Sequence, residues 1–229
     1  MIGDQALARA RDAGSGGRGA PVESAGGRLP FIYRSGRFLL RLYLGGLVRI
    51  RVENAQVPNT AFVISMNHRS ALDMFLYVAV LRRRIKFMAK REVLRYPILG
   101  PIISRWCIPI ARGRYDRRAL DACVEALKNG FILSVFPEGT RHAGLAVAHG
   151  GAVVLASRAG VPVVPGAIMG RYRIFGHVTV RFGQPRYYPP SLTREARQEA
   201  TGQLLDEIRA LGALPVAPPQ HRQAAGPSA

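Results

Sequence analysis

The sequence predicts an α/β protein, a single domain with a mixed, mostly parallel sheet flanked by helices. From residue 60 onward, short apolar runs of strand length alternate with longer helix-like runs, the pattern of a layered α/β architecture. The 229 residues suffice for one sizeable core. A hydrophobic content of 48%, with 8% aromatic, belongs to a folded chain and not a disordered one.

Strand-like runs fall at 61–66, 86–89, 107–110, 131–136, 161–168 and 177–183, and helix-like runs at about 70–83, 91–96, 116–129, 149–159 and 193–211. In the last helix Thr193 can cap the start, Leu204, Leu205, Ile208 and Leu211 form an apolar stripe, and Gly212 can end it. The question of membrane contact centres on residues 30–52. Its longest uninterrupted apolar or glycine run, Leu42–Val48, lies between Arg41 and Arg49 and is far too short to span a bilayer. As a helix it places Arg34, Arg37 and Arg41 on one face and Tyr33, Leu39, Leu40, Tyr43, Leu44 and Leu47 largely opposite. Such a basic amphipathic helix suits a membrane interface, and it equally suits packing on the protein's own core; the segment alone leaves both open. Residues 1–29, rich in Gly, Ala, Arg and Ser and without the apolar stretch of a signal peptide, are expected to form a disordered leader. The folded domain is expected over 53–212, and the Pro/Ala/Gln-rich 213–229 as a disordered tail.

Charge is the anomaly of the composition. Lys and Arg number 33 against 14 Asp and Glu, a formal net charge of +19 that suits a polyanion, either nucleic acid or an anionic membrane leaflet. The sequence shows no recognised nucleic-acid-binding motif, so no nucleic-acid partner is expected. Cys107 and Cys123 lie in apolar stretches without metal-type spacing, which points to reduced thiols. His142, His149, His177 and His221 show no zinc-type spacing, and no metal site is expected.

Chemistry concentrates where two apolar runs end. Ala61–Met66 leads into Asn67-His68-Arg69-Ser70-Ala71-Leu72-Asp73, and Phe131–Val135 leads into Phe136-Pro137-Glu138-Gly139-Thr140-Arg141. His68 is a candidate general base, because an imidazole titrates near neutral pH, and Asp73 can fix its tautomer and stabilise the imidazolium. Asn67 can support His68. A competing reading is local: Ser70-x-x-Asp73 ahead of an apolar helix is a short version of a capping box, in which Asp73 serves only the helix start. In the second motif Pro137 and Gly139 shape a turn that leaves Glu138 free to accept from hydroxyls and Arg141 to hold a phosphate in bidentate fashion. Arg112, after another apolar run, is a further anion-binding candidate. Together these residue types suggest acyl transfer onto a hydroxyl beside a phosphate.

Taken as a set, the motifs resemble the glycerophospholipid acyltransferase family, most of all the 1-acylglycerol-3-phosphate (lysophosphatidic acid) acyltransferases. The resemblance runs from about residue 50 to residue 185 in four ordered blocks. His68 and Asp73 match the family's catalytic pair. Arg112, downstream of Lys86–Lys90 and Tyr96–Gly100, matches an acceptor-binding arginine. Glu138, Gly139 and Arg141, with Thr140 between them, match the substrate-binding block. Pro162 and Pro165 match a segment linked to catalysis or acyl-chain accommodation. Three departures stand out: Trp106-Cys107-Ile108-Pro109 where members often carry a glycine, His142 in place of the usual serine, and His149 in place of a basic residue before Gly150. They surround the presumed phosphate pocket, so acceptor identity is what they bear on.

The resemblance implies an O-acyltransferase that converts lysophosphatidic acid to phosphatidic acid in phospholipid biosynthesis. It implies an acyl-CoA or acyl-carrier-protein donor, no cofactor, and a peripheral or monotopic place on the cytoplasmic face of an anionic membrane. Alternative readings are transfer to another lysolipid, such as a lyso-ornithine lipid, or a basic nucleic-acid- or lipid-binding protein without catalysis.

Overall fold

The structure, a computed structural model, describes residues 48–54, 56–70, 72–81, 83–92, 106–110, 116–136 and 150–215, with isolated positions between 34 and 46. Seven strands form one sheet: β1 (Val48–Glu53), β2 (Val63–Met66), β3 (Ile85–Lys90), β4 (Cys107–Ile110), β5 (Ile132–Val135), β6 (Val163–Gly170) and β7 (Gly176–Phe182), in the spatial order β1-β7-β6-β2-β5-β3-β4. Every neighbouring pair is parallel except β6 with β7. The described helices are α1 (Asp73–Val80), α2 (Arg117–Lys128), α3 (Gly151–Ala159) and α4 (Arg194–Ala213). The predicted single-domain α/β architecture with a mostly parallel sheet is the one observed.

Alternation along the central strands divides the core into two halves. On β2, Ile64 and Met66 face a cluster with Leu76 and Tyr77 of α1, Leu81 just past its end, and the strand residues Phe87, Ile168 and Val180. Val63, one residue out of phase, faces the opposite cluster with Cys123 and Leu127 of α2, Val153 and Leu155 of α3, and Leu204 and Ile208 of α4. Strands covered on both faces read as unbroken apolar runs, and β2 and β5 are buried at every position. α2 and α4 both start at a side-chain cap: Asp116 accepts from the Ala119 N–H at 3.1 Å, and Thr193, the cap expected from the sequence, from the Ala196 N–H at 3.2 Å. Both cysteines are free and buried. Burial pushes the Cys107 thiol up to about 11 and the Cys123 thiol up to about 12, so neither supplies a thiolate nucleophile near neutral pH.

Three boundaries differ from the sequence expectation. The segment expected to stay helical through residue 52 is strand from Val48, parallel to β7 from Val48↔Gly176 to Glu53↔Arg181. Val48, Ile50 and Val52 alternate with Arg49 and Arg51, a period of two that fits an edge strand. Upstream, helical backbone is described at Arg34, Ser35, Phe38, Leu40, Leu42 and Gly46; Leu40 packs on the core, while Phe38 and Leu42 are exposed. α1 begins at Asp73 and not at 70, because Ser70 and Leu72 are taken up in the turn before it. α4 runs through Gly212 and stops at Leu214, whose extended backbone is the one favoured before Pro215. The predicted leader, residues 1–29, lies outside the described residues, as does the tail from 216 onward.

Residues 213–215, expected to be disordered, are instead tied to the sheet through Arg181. This buried side chain donates from Nε and Nη2 to Oε2 of its register partner Glu53, each at 2.8 Å. Its remaining donors reach the carbonyls of Leu211 at 2.6 Å, Leu214 at 3.0 Å and Pro215 at 2.8 Å. A guanidinium taken out of water needs this many acceptors, and the carbonyl end of α4 supplies negative potential besides. Arg181→Met is therefore expected to destabilise the fold by about 3–5 kcal/mol, the scale for breaking a buried pair. Adding Glu53→Met should recover part of the loss by removing the orphaned carboxylate, read as midpoint shifts in denaturant titrations.

Candidate active site

The carboxyl ends of β2, β4 and β5 lie along one edge of the sheet, and the sequence motifs follow those ends. Beyond Met66 the chain does not drift away from its neighbour. Asn67 clamps β6 by donating from Nδ2 to the Ile168 carbonyl at 3.0 Å and accepting the Ile168 N–H on Oδ1 at 2.7 Å. This two-way amide contact continues the β2–β6 pairing past the last strand residue and aims the next side chain, His68, over the sheet edge.

Asp73 is fully buried, and its carboxylate organises the turn. Oδ2 accepts from the N–H groups of Arg69 at 2.7 Å and Ser70 at 2.8 Å, and from His68 Nδ1 at 3.0 Å. A carboxylate only accepts, so the proton between them sits on Nδ1 and the Nε2 lone pair remains as the basic site. The capping-box reading is met only in part: Oδ2 accepts the Ser70 N–H, but α1 starts after Leu72 without a side-chain cap, and the oxygen that holds this turn also holds the imidazole. The other oxygen, Oδ1, accepts the Tyr172 hydroxyl at 2.7 Å from across the sheet edge. Burial, with the hydrogen bond to Asp73 adding to it, raises the Tyr172 phenol well above its ordinary range, which keeps it a donor.

Phe136, the residue at which the second motif leaves β5, stacks on His68 with ring centroids 4.0 Å apart. Tyr77 of α1 lies against the same phenyl ring at 6.1 Å. The imidazole is thus fixed by a carboxylate at one nitrogen and by an aromatic face, while a quarter of its side chain stays open to solvent.

Pro162 and Pro165 take structural places. The Pro162 carbonyl accepts the Val63 N–H at 2.9 Å at the start of β6. Pro165 sits inside β6, between two neighbours, a position that ordinarily requires a ladder donor. Here the regular β6–β7 pairing begins one residue later, at Gly166↔Phe182, and the bridge Val163↔Arg186 resumes one residue out of register, so the missing N–H falls at an irregularity. Gly166 is required at that point, because a Cβ there would lie 2.3 Å from Met66 Cε and 2.7 Å from the Arg181 carbonyl oxygen. Arg112, Glu138, Gly139, Thr140 and Arg141 lie outside the described residues.

A family model described as Acyltransferase matches residues 49–169. The chain belongs to the acyltransferase family. Among its relatives, a chloroplastic 1-acyl-sn-glycerol-3-phosphate acyltransferase of Brassica napus, BAT2, is 34% identical over 128 residues, which cover 54% of this chain and 37% of that protein. A 1-acyl-sn-glycerol-3-phosphate acyltransferase of Bacillus subtilis is 29% identical over 131 residues, covering 56% of this chain and 66% of the relative. The chain thus matches little more than a third of the Brassica protein's length. The crystal structure of the 1-acyl-sn-glycerophosphate (LPA) acyltransferase PlsC from Thermotoga maritima shares the fold, with a TM-score of 0.63 at 21% identity over 94% of this chain and 90% of that one.

The acyltransferase match takes in both catalytic candidates, His68 and Asp73, and stops short of Tyr172. Sequence reasoning missed this tyrosine, whose partner lies 99 residues away and whose neighbours Arg171 and Arg173 suggest an ordinary solvated turn. Phe136 was in plain view as part of a motif, yet nothing local marks it as the ring beneath the histidine. Tyr172→Phe should leave Oδ1 of a buried carboxylate without that donor, at a cost of about 1–3 kcal/mol. Denaturant unfolding of the purified variant against the wild type measures it.

Proposed function

We propose that this acyltransferase moves an acyl group from a thioester, acyl-CoA or acyl carrier protein, to the free hydroxyl of 1-acylglycerol-3-phosphate, giving phosphatidic acid. The observation that carries the reading is the His68–Asp73 pair, with Nδ1 committed to the buried carboxylate and Nε2 left as base. The acceptor hydroxyl loses its proton to Nε2 as its oxygen attacks the thioester carbonyl carbon. The tetrahedral intermediate collapses by breaking the carbon–sulfur bond, and the departing thiolate takes the proton back from the imidazolium. Asp73 stabilises that imidazolium and holds its orientation throughout. The step as written calls for neither an enzyme nucleophile nor a metal or other cofactor.

Arg112 and Arg141 are assigned to the acceptor phosphate, and Glu138 to its glycerol part, with Gly139 and Thr140 shaping the same turn. The names of the relatives support this acceptor. The departures from the family pattern, His142 where serine is usual next to Arg141, His149 before Gly150 and Trp106–Pro109, favour testing other lysolipids, a lyso-ornithine lipid among them. The lipid substrates and the net charge of +19 support work at an anionic membrane, on its cytoplasmic face. Among the described residues no helix is long and apolar enough to cross a membrane.

Purified protein supplied with labelled acyl-CoA or acyl carrier protein and a panel of lysolipids tests the reading directly. Phosphatidic acid should form from lysophosphatidic acid. His68→Ala should lower turnover roughly 10²–10⁴-fold, the scale of a lost general base; activity within a few-fold of wild type removes His68 from the mechanism. Arg141→Ala should raise KM for lysophosphatidic acid by about 10–100-fold, as expected for one lost charge-assisted contact, with KM for the thioester little changed. Equal effects on both substrates would remove the phosphate assignment.

A further inference from the structure

The turn between β6 and β7, residues 171–175, projects from the same edge of the sheet as His68. Its sequence is Arg171-Tyr172-Arg173-Ile174-Phe175. Tyr172 turns inward to Asp73, while Ile174 and Phe175 turn outward and are 67% and 77% exposed. Adjacent large apolar side chains this open to water are costly in a soluble surface and mark an interaction site. Phe175 also holds a left-handed backbone, φ +59°, a conformation that a bulky side chain rarely adopts.

The turn is built to keep that projection. The Arg173 carbonyl accepts from Gly176 N–H at 2.7 Å, and the His177 carbonyl from Arg171 N–H at 3.3 Å. At its base Gly170 has φ +95°, and a Cβ there would lie 2.0 Å from the His177 carbonyl oxygen. Two exposed arginines, Arg171 and Arg173, lead into the apolar tip.

We infer that this turn is a membrane-docking element, in which Ile174 and Phe175 enter the interfacial layer of an anionic bilayer while Arg171 and Arg173 meet its phosphates. The inference rests on the lipid acceptor proposed above. Charge complementarity selects a bilayer as the occupant: aliphatic and aromatic side chains at the tip and guanidiniums beside them match acyl chains beneath anionic headgroups. Chain continuity agrees with it. Val48, where the segment bearing exposed Phe38 and Leu42 enters the sheet, pairs with Gly176, next to Phe175.

The test places a reporter at the tip. Phe175→Trp is compared with wild type, whose single tryptophan is Trp106, on phosphatidylcholine vesicles with and without phosphatidylglycerol. On the anionic vesicles the added tryptophan should shift its emission to the blue and be quenched by bromine-labelled acyl chains. In parallel, Ile174→Ser combined with Phe175→Gly should weaken vesicle partitioning on the order of tenfold or more. Glycine suits the left-handed backbone at 175, so a folding defect does not account for that loss. Water-like emission on sedimented vesicles overturns the inference, as does a double variant that partitions like wild type, or protein that never sediments with vesicles. A blue shift produced by acyl carrier protein without lipid assigns the tip to a protein partner and overturns it too. None of these readouts needs turnover: insertion without acyl transfer to lysophosphatidic acid would overturn the proposed reaction alone, and transfer without insertion the docking element alone.

Discussion

The buried carboxylate of Asp73 is the constraint around which the site is arranged. A charge with no exposure to solvent is tolerated only when its oxygens find donors, and here four converge on it: two backbone N–H groups, an imidazole and a phenol. Those donors come from the turn after β2 and from the far end of β6. Folding the two strands side by side and supplying the carboxylate with its donors are therefore one event. Asn67 adds a second tie between the same segments. His68 acquires its tautomer and direction as a consequence, before any ligand arrives, which is the preorganisation that its proposed role as general base requires.

How much of this the sequence discloses depends on how far apart the partners lie. His68 and Asp73 are five residues apart, and residue types at that spacing after an apolar run suffice to pair them. The central strands are legible for a similar reason: burial on both faces leaves runs such as Val-Ile-Ser-Met and Ile-Leu-Ser-Val with no helical period. β1 was lost because an edge strand alternating Val, Arg, Ile, Arg resembles the continuation of a basic amphipathic helix, and what makes it a strand is β7, 128 positions on. The role of Arg181 hides at the same distance. Tyr172 is hidden by context, since arginines on either side disguise an inward-facing residue as part of a solvated turn.

The net charge of +19 also divides into separate roles that composition cannot distinguish. Arg181 spends its charge inside the protein on Glu53 and the end of α4. Arg83 is half-buried, donating to the carbonyls of Pro58, Thr60 and Gly130, and burial lowers its pKa. Both act as cross-links between distant backbone segments. The field available to a partner is accordingly smaller than the formal charge, and it is better judged from arginines that the fold leaves outside, such as Arg171 and Arg173.

The position of Tyr172 bears on how the proposed reaction would reach a lysolipid that stays in a bilayer. Its hydroxyl touches Asp73, and Phe175 follows only three residues later, a length of chain that spans at most about 11 Å when fully extended. A tip seated in the interfacial layer would hold the sheet edge carrying His68 close to the headgroup zone. The hydroxyl of a lysolipid lies in that zone, beside its phosphate, while its acyl chain remains in hydrocarbon. The proposed acceptor would then need little extraction to meet Nε2, and binding energy that extraction would consume would be left for aligning the hydroxyl with the thioester. Tyr172, shared between the carboxylate and the turn, also limits how far the turn can move without disturbing the His68–Asp73 pair. With the turn docked as proposed, rigid attachment at that point would make the orientation of the protein on the membrane part of its catalytic geometry.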